Sequence, residues 1–546
     1  MTNLRWGGQQ LFLLFALSGA AWLHAQSPDE SFLAALGDLR EADYSTKGEI
    51  VERLSQSGHP SLSVVLTAFL EDRLYYRNDN KQVVVARTKV DPLNLLDPVT
   101  LKDAGTASGD VLTSIGTNNG LRRILRTAVA RFALANDDPA VRLQAVREMI
   151  KSLDNAAAQM LRERESVEKD KRVRKEIATA LAMAALEGSD SAARVNAVET
   201  LSQSLSQDVR NRVALLVEKS ADGQFAETDP KVREAATRAL STIDAWRTFY
   251  SAVETLFFGL SLGSVLVLIA MGLAITFGVV GVINMAHGEL MMLGAYTTYT
   301  VQLAMPDHIG LSVLVAVPAA FLVSGLTGVV MERTIIRFLY GRPLETLLAT
   351  FGVSLVLQQA VRSIFSANNR AVVTPEWMSG SLAINDALSI TYNRLYIVAF
   401  SLIVFGLVLL VMKRTRVGLN IRAVSQNRAM AKAMGIRTEW VDAVTFGIGS
   451  GIAGVAGVAL SQLTNVGPNL GQSYIIDSFM VVVFGGVGNL WGSLIGGMSM
   501  GIVSNLLEPW VGSVLAKILV LVALILFIQT RPRGLFPQTG RAAEDK

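Results

Sequence analysis

The sequence has no cysteine. That excludes disulfides, thiolate zinc sites, iron–sulfur clusters and cysteine nucleophiles. Its four histidines, His24, His59, His287 and His308, are too scattered to suggest a local metal site, so neither a metal nor a cofactor is expected. There is no Gly-x4-Gly-Lys-[Ser/Thr] phosphate loop, and any nucleotide hydrolysis must take place on another subunit. A net charge of +4 is too small for a nucleic-acid footprint, which needs a strongly basic stripe. Charge itself is scarce in the second half. Residues 1–254 carry 32 Lys+Arg and 34 Asp+Glu, whereas residues 255–546 carry 18 and 12. About 10% charge over those 292 positions is too little for the surface of a soluble fold, so that part belongs in a bilayer.

Residues 1–25 read as a secretory signal: Arg5 at the start, a short apolar core at Leu11–Leu17, small residues after it, and cleavage after Ala25. Leu23 at the minus-three position is less usual than Ala, and the alternative is a retained anchor helix. Either way, residues 26–250 are expected outside the membrane as an α-helical domain. A phrase recurs there: Asp138-Pro-Ala-Val-Arg142, Asp170-Lys-Arg-Val-Arg174, Asp208-Val-Arg210 and Asp229-Pro-Lys-Val-Arg233. Each Asp suits a helix N-cap, and Pro139 and Pro230 suit the first helical position, where a missing N–H costs nothing. Val and the following Ala residues are expected to face the neighbouring helix. Steps of 32 and 36 residues between Arg142, Arg174 and Arg210 fit stacked helix pairs of the HEAT type. Residues 78–118, with Val83-Val84-Val85 among Pro, Asp and Gly, read as a loop or small hairpin interrupting the array. The domain reads equally as a docking surface for an external partner or as a spacer.

The second half, 251–546, reads as an all-α transmembrane bundle. A spanning helix needs about 20 apolar residues. The uncharged runs give about nine spans: 256–280, 283–304, 311–332, 345–364, 394–412, 441–464, 473–488, 491–508 and 513–530. Polar residues and Gly pairs in the second and seventh fit a broken or re-entrant helix. Lys and Arg concentrate at 333–342, at 413–437 and in the tail from Arg531 to Lys546, which places these stretches in the cytoplasm. An exported N-terminal domain and a cytoplasmic C-terminus demand an odd number of spans, and the loop at 366–393 then falls outside. Gly447-x3-Gly451, Gly492-x3-Gly496 and Gly497-x3-Gly501 allow close helix approach.

Polar residues at membrane depth are functional candidates because burying them unpaired costs several kcal/mol. The most conspicuous segment is Gly281-Val-Ile-Asn284-Met-Ala-His287-Gly288-Glu289. His287 and Glu289 are two apart, do not share a helical face, and fit a joint between two half-helices. Gln358-Gln359, Asn465, Asp477, Asn489, Asn505 and Glu508 complete the set. Each also suits an ordinary interhelical hydrogen bond. Together they offer donors and acceptors with little fixed charge, which suits a neutral or zwitterionic solute better than a metal ion. The basic loop 413–440 contains Ala429-Met-Ala431-Lys-Ala433-Met-Gly435, a short helix with a Gly stop. Such a helix can seat in a cytoplasmic partner; an ordinary basic loop held at anionic headgroups is the alternative.

At this point the membrane half resembles permeases of the branched-chain amino acid/amide ABC importer family. The resemblance rests on Gly259-Leu-Ser-Leu-Gly263-Ser, Gly278-Val-Val-Gly-Val-Ile-Asn284-Met-Ala-His287-Gly-Glu289, Arg416-Val-Gly418-Leu, Arg422-Ala-Val-Ser-Gln-Asn427 and Arg531-Pro-Arg-Gly534-Leu-Phe536. Within the family it is similar to urea-importer permeases, on Arg342-Pro-Leu-Glu345-Thr-Leu-Leu-Ala-Thr350, Asn465-Val-Gly467-Pro-Asn469 and the stretch from Asp477 to Gly485. The resemblance implies an inner-membrane heterodimer with a second permease subunit, two cytoplasmic ATPase subunits and an external solute-binding protein. It implies ATP-driven import of urea or a similar small amide by alternating access, with no catalysis on this chain. Such permeases carry Glu-Ala-Ala-x3-Gly in the coupling loop; here Ala429 stands where Glu would be, while Ala431 and Gly435 keep their places and Arg422 precedes them. Pathway candidates are Asn284, His287, Glu289, Gln358, Asn465 and Asp477. The rival readings are a permease for branched-chain amino acids, a passive channel, a membrane-bound sensor and, last, an intramembrane enzyme.

Overall fold

The computed structural model describes residues 28–89, 91–151, 153–219 and 225–536. The signal reading at 1–25 and the tail residues Arg541 and Lys546 lie outside them. The chain divides into two compact units, one ending at Asp244 and one beginning at Ala245.

In the first unit, six of the nine short helices begin at a capping Asp or Asn side chain. Helices α1 (Pro28–Asp38), α2 (Tyr44–Gln56), α3 (Leu62–Leu70) and α4 (Asn119–Ala133) pack on one core around Phe32, Leu36, Leu66 and Phe69. Helices α5 (Pro139–Ile150), α6 (Asn155–Val167), α7 (Lys171–Ala185), α8 (Ser191–Leu201) and α9 (Gln207–Val217) share a second core with the first turns of α10 (Pro230–Val280). The recurrent phrase now has a structural meaning. Asp138, Asp170 and Asp229 each accept a backbone N–H two residues on. The arginine four residues later then turns back onto carbonyls just before the cap. Arg142 reaches the Asn136 and Asp137 oxygens at 2.8 Å, Arg174 reaches that of Glu168, and Arg233 those of Glu227 and Thr228. Asp208 departs from this pattern: Ser206 occupies the cap of α9 and Asp208 sits in its first turn. Val173, Val209 and Val232 are buried as expected, whereas Val141 is exposed and Arg142 is buried instead.

The all-α expectation fails in this unit. Residues 74–114 form a five-stranded antiparallel sheet, not a loop or a small hairpin. Its strands are β1 (Leu74–Arg77), β2 (Val83–Ala86), β3 (Leu93–Leu96), β4 (Asp103–Ala107) and β5 (Leu112–Ser114), in the order β4-β3-β2-β1-β5. Tyr75 lies opposite both Val84 and Ser114. Strands this short give too few residues for alternation to be read, and β2 is buried on both faces, so its run of Val shows no period at all.

In the second unit a helix lies in each of the nine expected ranges: α10, α11 (His287–Ala304), α12 (Ile309–Thr334), α13 (Pro343–Phe365), α14 (Tyr392–Arg414), α17 (Thr438–Ser461), α18 (Leu470–Gly485), α19 (Leu490–Val511) and α20 (Ser513–Thr530). Among the described residues, seven of these are long and apolar enough to cross a membrane, not nine. The other two are α11, whose first turn is polar, and α18, which has 16 residues. The loop between α13 and α14 carries a hairpin of β6 (Ser381–Asn385) and β7 (Leu388–Thr391). Helix α17 is central and almost wholly buried, packed on α11 and α12. Glycine makes these approaches possible: a Cβ on Gly454 would lie 2.5 Å from the Ala320 carbonyl oxygen of α12, closer than any real contact.

Candidate functional site

Helix α10 ends because Gly281 takes φ +72°, a left-handed conformation that other residues adopt at a cost. The chain stays unwound to Ala286, and α11 restarts at His287. Such a break leaves backbone groups that the bundle must satisfy. The Asn284 side-chain oxygen accepts the Ala286 N–H at 3.0 Å. The Met285 N–H donates to the Thr350 hydroxyl at 3.2 Å. His287 is fully buried; its Nε2–H donates to the Ile269 carbonyl at 3.0 Å.

Glu289 lies in the first turn of α11, 1% exposed. Its Oε1 accepts two bonds from α13, from Gln358 Nε2 at 2.7 Å and Ser354 Oγ at 3.1 Å. Its Oε2 has no hydrogen-bond partner among the described residues. Gly471, in the first turn of α18, leaves room for that oxygen: a Cβ there would lie 2.6 Å from it. Asn284 Nδ2 and His287 Nδ1 are likewise buried without a partner among the described residues.

Helix α13 completes the site in an unusual way. Its buried positions are Thr346, Thr350, Ser354, Gln358 and Val361, and the rest of the helix carries exposed apolar residues such as Leu348 and Leu355. Four of the five inward residues are therefore polar, one per turn. Sequence reading found only Gln358 among them. Thr346, Thr350 and Ser354 were missed, although their spacing of four was the signal: a polar row in an apolar span marks an inward face.

The six pathway candidates do not form one cluster. Glu289 and Gln358 bond to each other, and Asn284 and His287 belong to the adjoining break. Gln359 is exposed. Asn465 is exposed too, in the loop where Val466 pairs with Arg370. Asp477 forms an ion pair with Lys517 of α20 at 3.0 Å. Asn489 caps α19, Asn505 bonds to the Thr255 carbonyl at 2.7 Å, and Glu508 is exposed.

The loop expected at 413–440 folds as α15 (Arg416–Gln426) and α16 (Arg428–Ala433). Asn427 caps α16 by accepting the Met430 N–H at 2.9 Å. Gly435, at φ +87°, closes it: the Gly435 N–H bonds to Lys432 O and the Ile436 N–H to Ala431 O, a Schellman arrangement. Ala431 is buried against Ile421, Val424 and Val441, while Arg422 and Ala429 are exposed and Met430 and Met434 are 61% and 77% exposed. Arg428 pairs with the buried Asp442 of α17, which ties α16 to the bundle.

Among the described residues, seven helices are long and apolar enough to cross a membrane, and a broken segment with a buried carboxylate lies in the same unit, the features of a multi-pass membrane protein. Residues 255–528 match the family described as branched-chain amino acid transport system / permease component, and the chain belongs to that family. It is 32% identical to the high-affinity branched-chain amino acid transport system permease protein BraD of Pseudomonas aeruginosa, over 54% of this chain and 98% of that protein. It is 30% identical to the corresponding LivH protein of Escherichia coli, over 55% and 98%. A more distant relative is the ribose import permease protein RbsC of Haemophilus influenzae, 23% identical over 45% and 74%. No solved structure matches the chain.

Proposed function

We propose that this chain is the permease subunit of an ATP-driven importer that moves urea, or a similar small amide, across the inner membrane by alternating access. The observation that carries this reading is Glu289: a carboxylate at a helix break, 1% exposed, one oxygen held by Ser354 and Gln358 and the other free of partners among the described residues. The solute passes the segment of Asn284, His287, Glu289 and Gln358. Asn465 and Asp477 stand apart from it and hold loop and helix positions.

On this reading a second permease subunit pairs with the bundle, and two cytoplasmic ATPase subunits dock at α15 and α16. Ala429 and the exposed methionines offer the contact, Arg422 flanks it, and Ala431 and Gly435 hold its shape. A solute-binding protein delivers cargo from outside. The first unit is exported after signal cleavage, its helix pairs stack in the HEAT manner, and the C-terminus is cytoplasmic. A second reading has a specific support: BraD and LivH are named as branched-chain amino acid permeases, so leucine is the competing cargo.

Uptake of labelled urea and labelled leucine by cells lacking and regaining this gene tests the proposal. Restored urea uptake that disappears with the ATPase genes is the expected result. Restored leucine uptake alone establishes the second reading, uptake that survives loss of the ATPases indicates a passive channel, and uptake of neither solute overturns the importer.

A further inference from the structure

The polar face of α13 is more than a set of interhelical hydrogen bonds. Thr346, Thr350, Ser354 and Gln358 follow at intervals of four, so each lies about 6 Å further along the helix axis. The row is then about 18 Å long, more than half of the hydrocarbon thickness of a bilayer. All four are buried, while the remainder of α13 presents Leu348, Leu355 and other exposed apolar side chains. Beside the row stands Glu289, whose Oε2 is buried without a donor among the described residues. In the segment bonded to Thr350, the Asn284 amide nitrogen is buried without an acceptor among the described residues. An orphaned acceptor and an orphaned donor at membrane depth each cost free energy until something supplies the complement.

We infer that this face of α13 is the wall along which the solute moves, and that Glu289 Oε2 accepts an N–H of that solute while Asn284 donates to its carbonyl. The inference rests on the importer reading and names the groups its cargo must bring. A neutral molecule with N–H donors and a carbonyl satisfies both orphans. The four hydroxyl and amide side chains supply further weak partners in series, none of them strong enough to trap the solute. Since the row is closed off from solvent in this conformation, α11 and α13 must part during turnover.

The absence of cysteine in the natural chain makes a direct test possible. Thr346→Cys, Thr350→Cys and Ser354→Cys are introduced singly into the intact transporter, with Leu348→Cys and Leu355→Cys as controls on the lipid side of the same helix. Cells are treated with a charged methanethiosulfonate reagent during energised uptake, with urea or leucine present. The expected result is modification of the three row positions, slowed by urea and not by leucine, with the two controls unreactive. A row that stays unreactive while the wild-type chain takes up urea overturns this inference and leaves the importer reading standing; protection by leucine alone overturns the neutral-amide assignment. Should the cysteine variants fail to accumulate, Glu289→Gln supplies the second measurement. Urea uptake is expected to fall at least about tenfold at an unchanged level of chain in the membrane, and unchanged uptake overturns the role given to Oε2.

Discussion

Gln358 donates the shorter of the two hydrogen bonds to Glu289, at 2.7 Å, and so does most to fix that carboxylate. Leaving a buried acceptor short of its donor costs about 1–3 kcal/mol. Gln358→Leu is therefore expected to lower transport by about tenfold or more in an uptake assay normalised to chain in the membrane; transport that tracks protein level alone would make the bond merely structural. In the first unit, Glu168 is held by several side chains and backbone groups at once. It accepts both arms of Arg142 at 2.7 and 2.8 Å, Arg164, and the Asp170 N–H. Arg142 above all holds its carboxyl down at about 2, against a burial that pushes it up. A carboxylate depressed in this way contributes stability that is complete above the ordinary value of 4.5 and is lost as pH falls from there toward 2. Glu168→Ala takes the carboxylate from Arg142 and leaves its guanidinium only the Asn136 and Asp137 carbonyls, so the first unit is expected to lose stability. Thermal unfolding of the detergent-solubilised chain should show that loss at neutral pH and a smaller one near pH 3; equal losses at both would contradict the assignment. The residues at this scale were only partly legible. Asn284, His287 and Glu289 were conspicuous as polar residues in an uncharged run, but nothing in the sequence told that Asp477 would find Lys517 instead of the break.

At the scale of elements, capping chemistry is local and reads well. Asp138, Asp170 and Asp229 cap where the phrase predicted, because an Asx cap is decided within three residues. Asp208 failed because Ser206, two residues earlier, begins the helix first. The sheet at 74–114 was missed since its pairings join strands up to 39 residues apart, as Tyr75 and Ser114 show, and no local period reports them. The row on α13 was missed for a different reason: threonine and serine are common enough in spans to pass unnoticed until burial singles them out. Two glycines give element-scale predictions. Gly471→Val places a Cβ 2.6 Å from both the Gly288 carbonyl carbon and Glu289 Oε2, and the chain is expected to fail to accumulate in the membrane, as immunoblots would show. Gly435→Leu forces a bulky residue to φ +87° at a cost of about 1–3 kcal/mol. It should loosen the end of α16, reduce co-purification of ATPase subunits and reduce uptake. Unchanged values for both would remove the coupling role from this loop.

Across the whole molecule, the division between a charged and an uncharged half was plain from composition, and the compact units meet at Asp244 and Ala245, within the stretch where charge falls away. The span count was less legible. The nine expected ranges contain nine helices, yet α11 and α18 fall short of a full apolar crossing. A chain can bury a polar half-helix inside a bundle without leaving any trace in its local hydropathy except polarity. These two helices meet at Glu289 and Gly471, so the elements hardest to count are those that build the site. The central claim is that this site carries a small neutral amide inward at the expense of ATP hydrolysed on partner subunits. Proteoliposomes holding the assembled complex, with ATP on the side of the ATPases and the binding protein opposite, test it most directly. Labelled urea should accumulate against its gradient only with ATP, and not with Glu289→Gln in place of the natural chain. Accumulation that ignores ATP, or that proceeds undiminished with the substituted chain, would contradict the account.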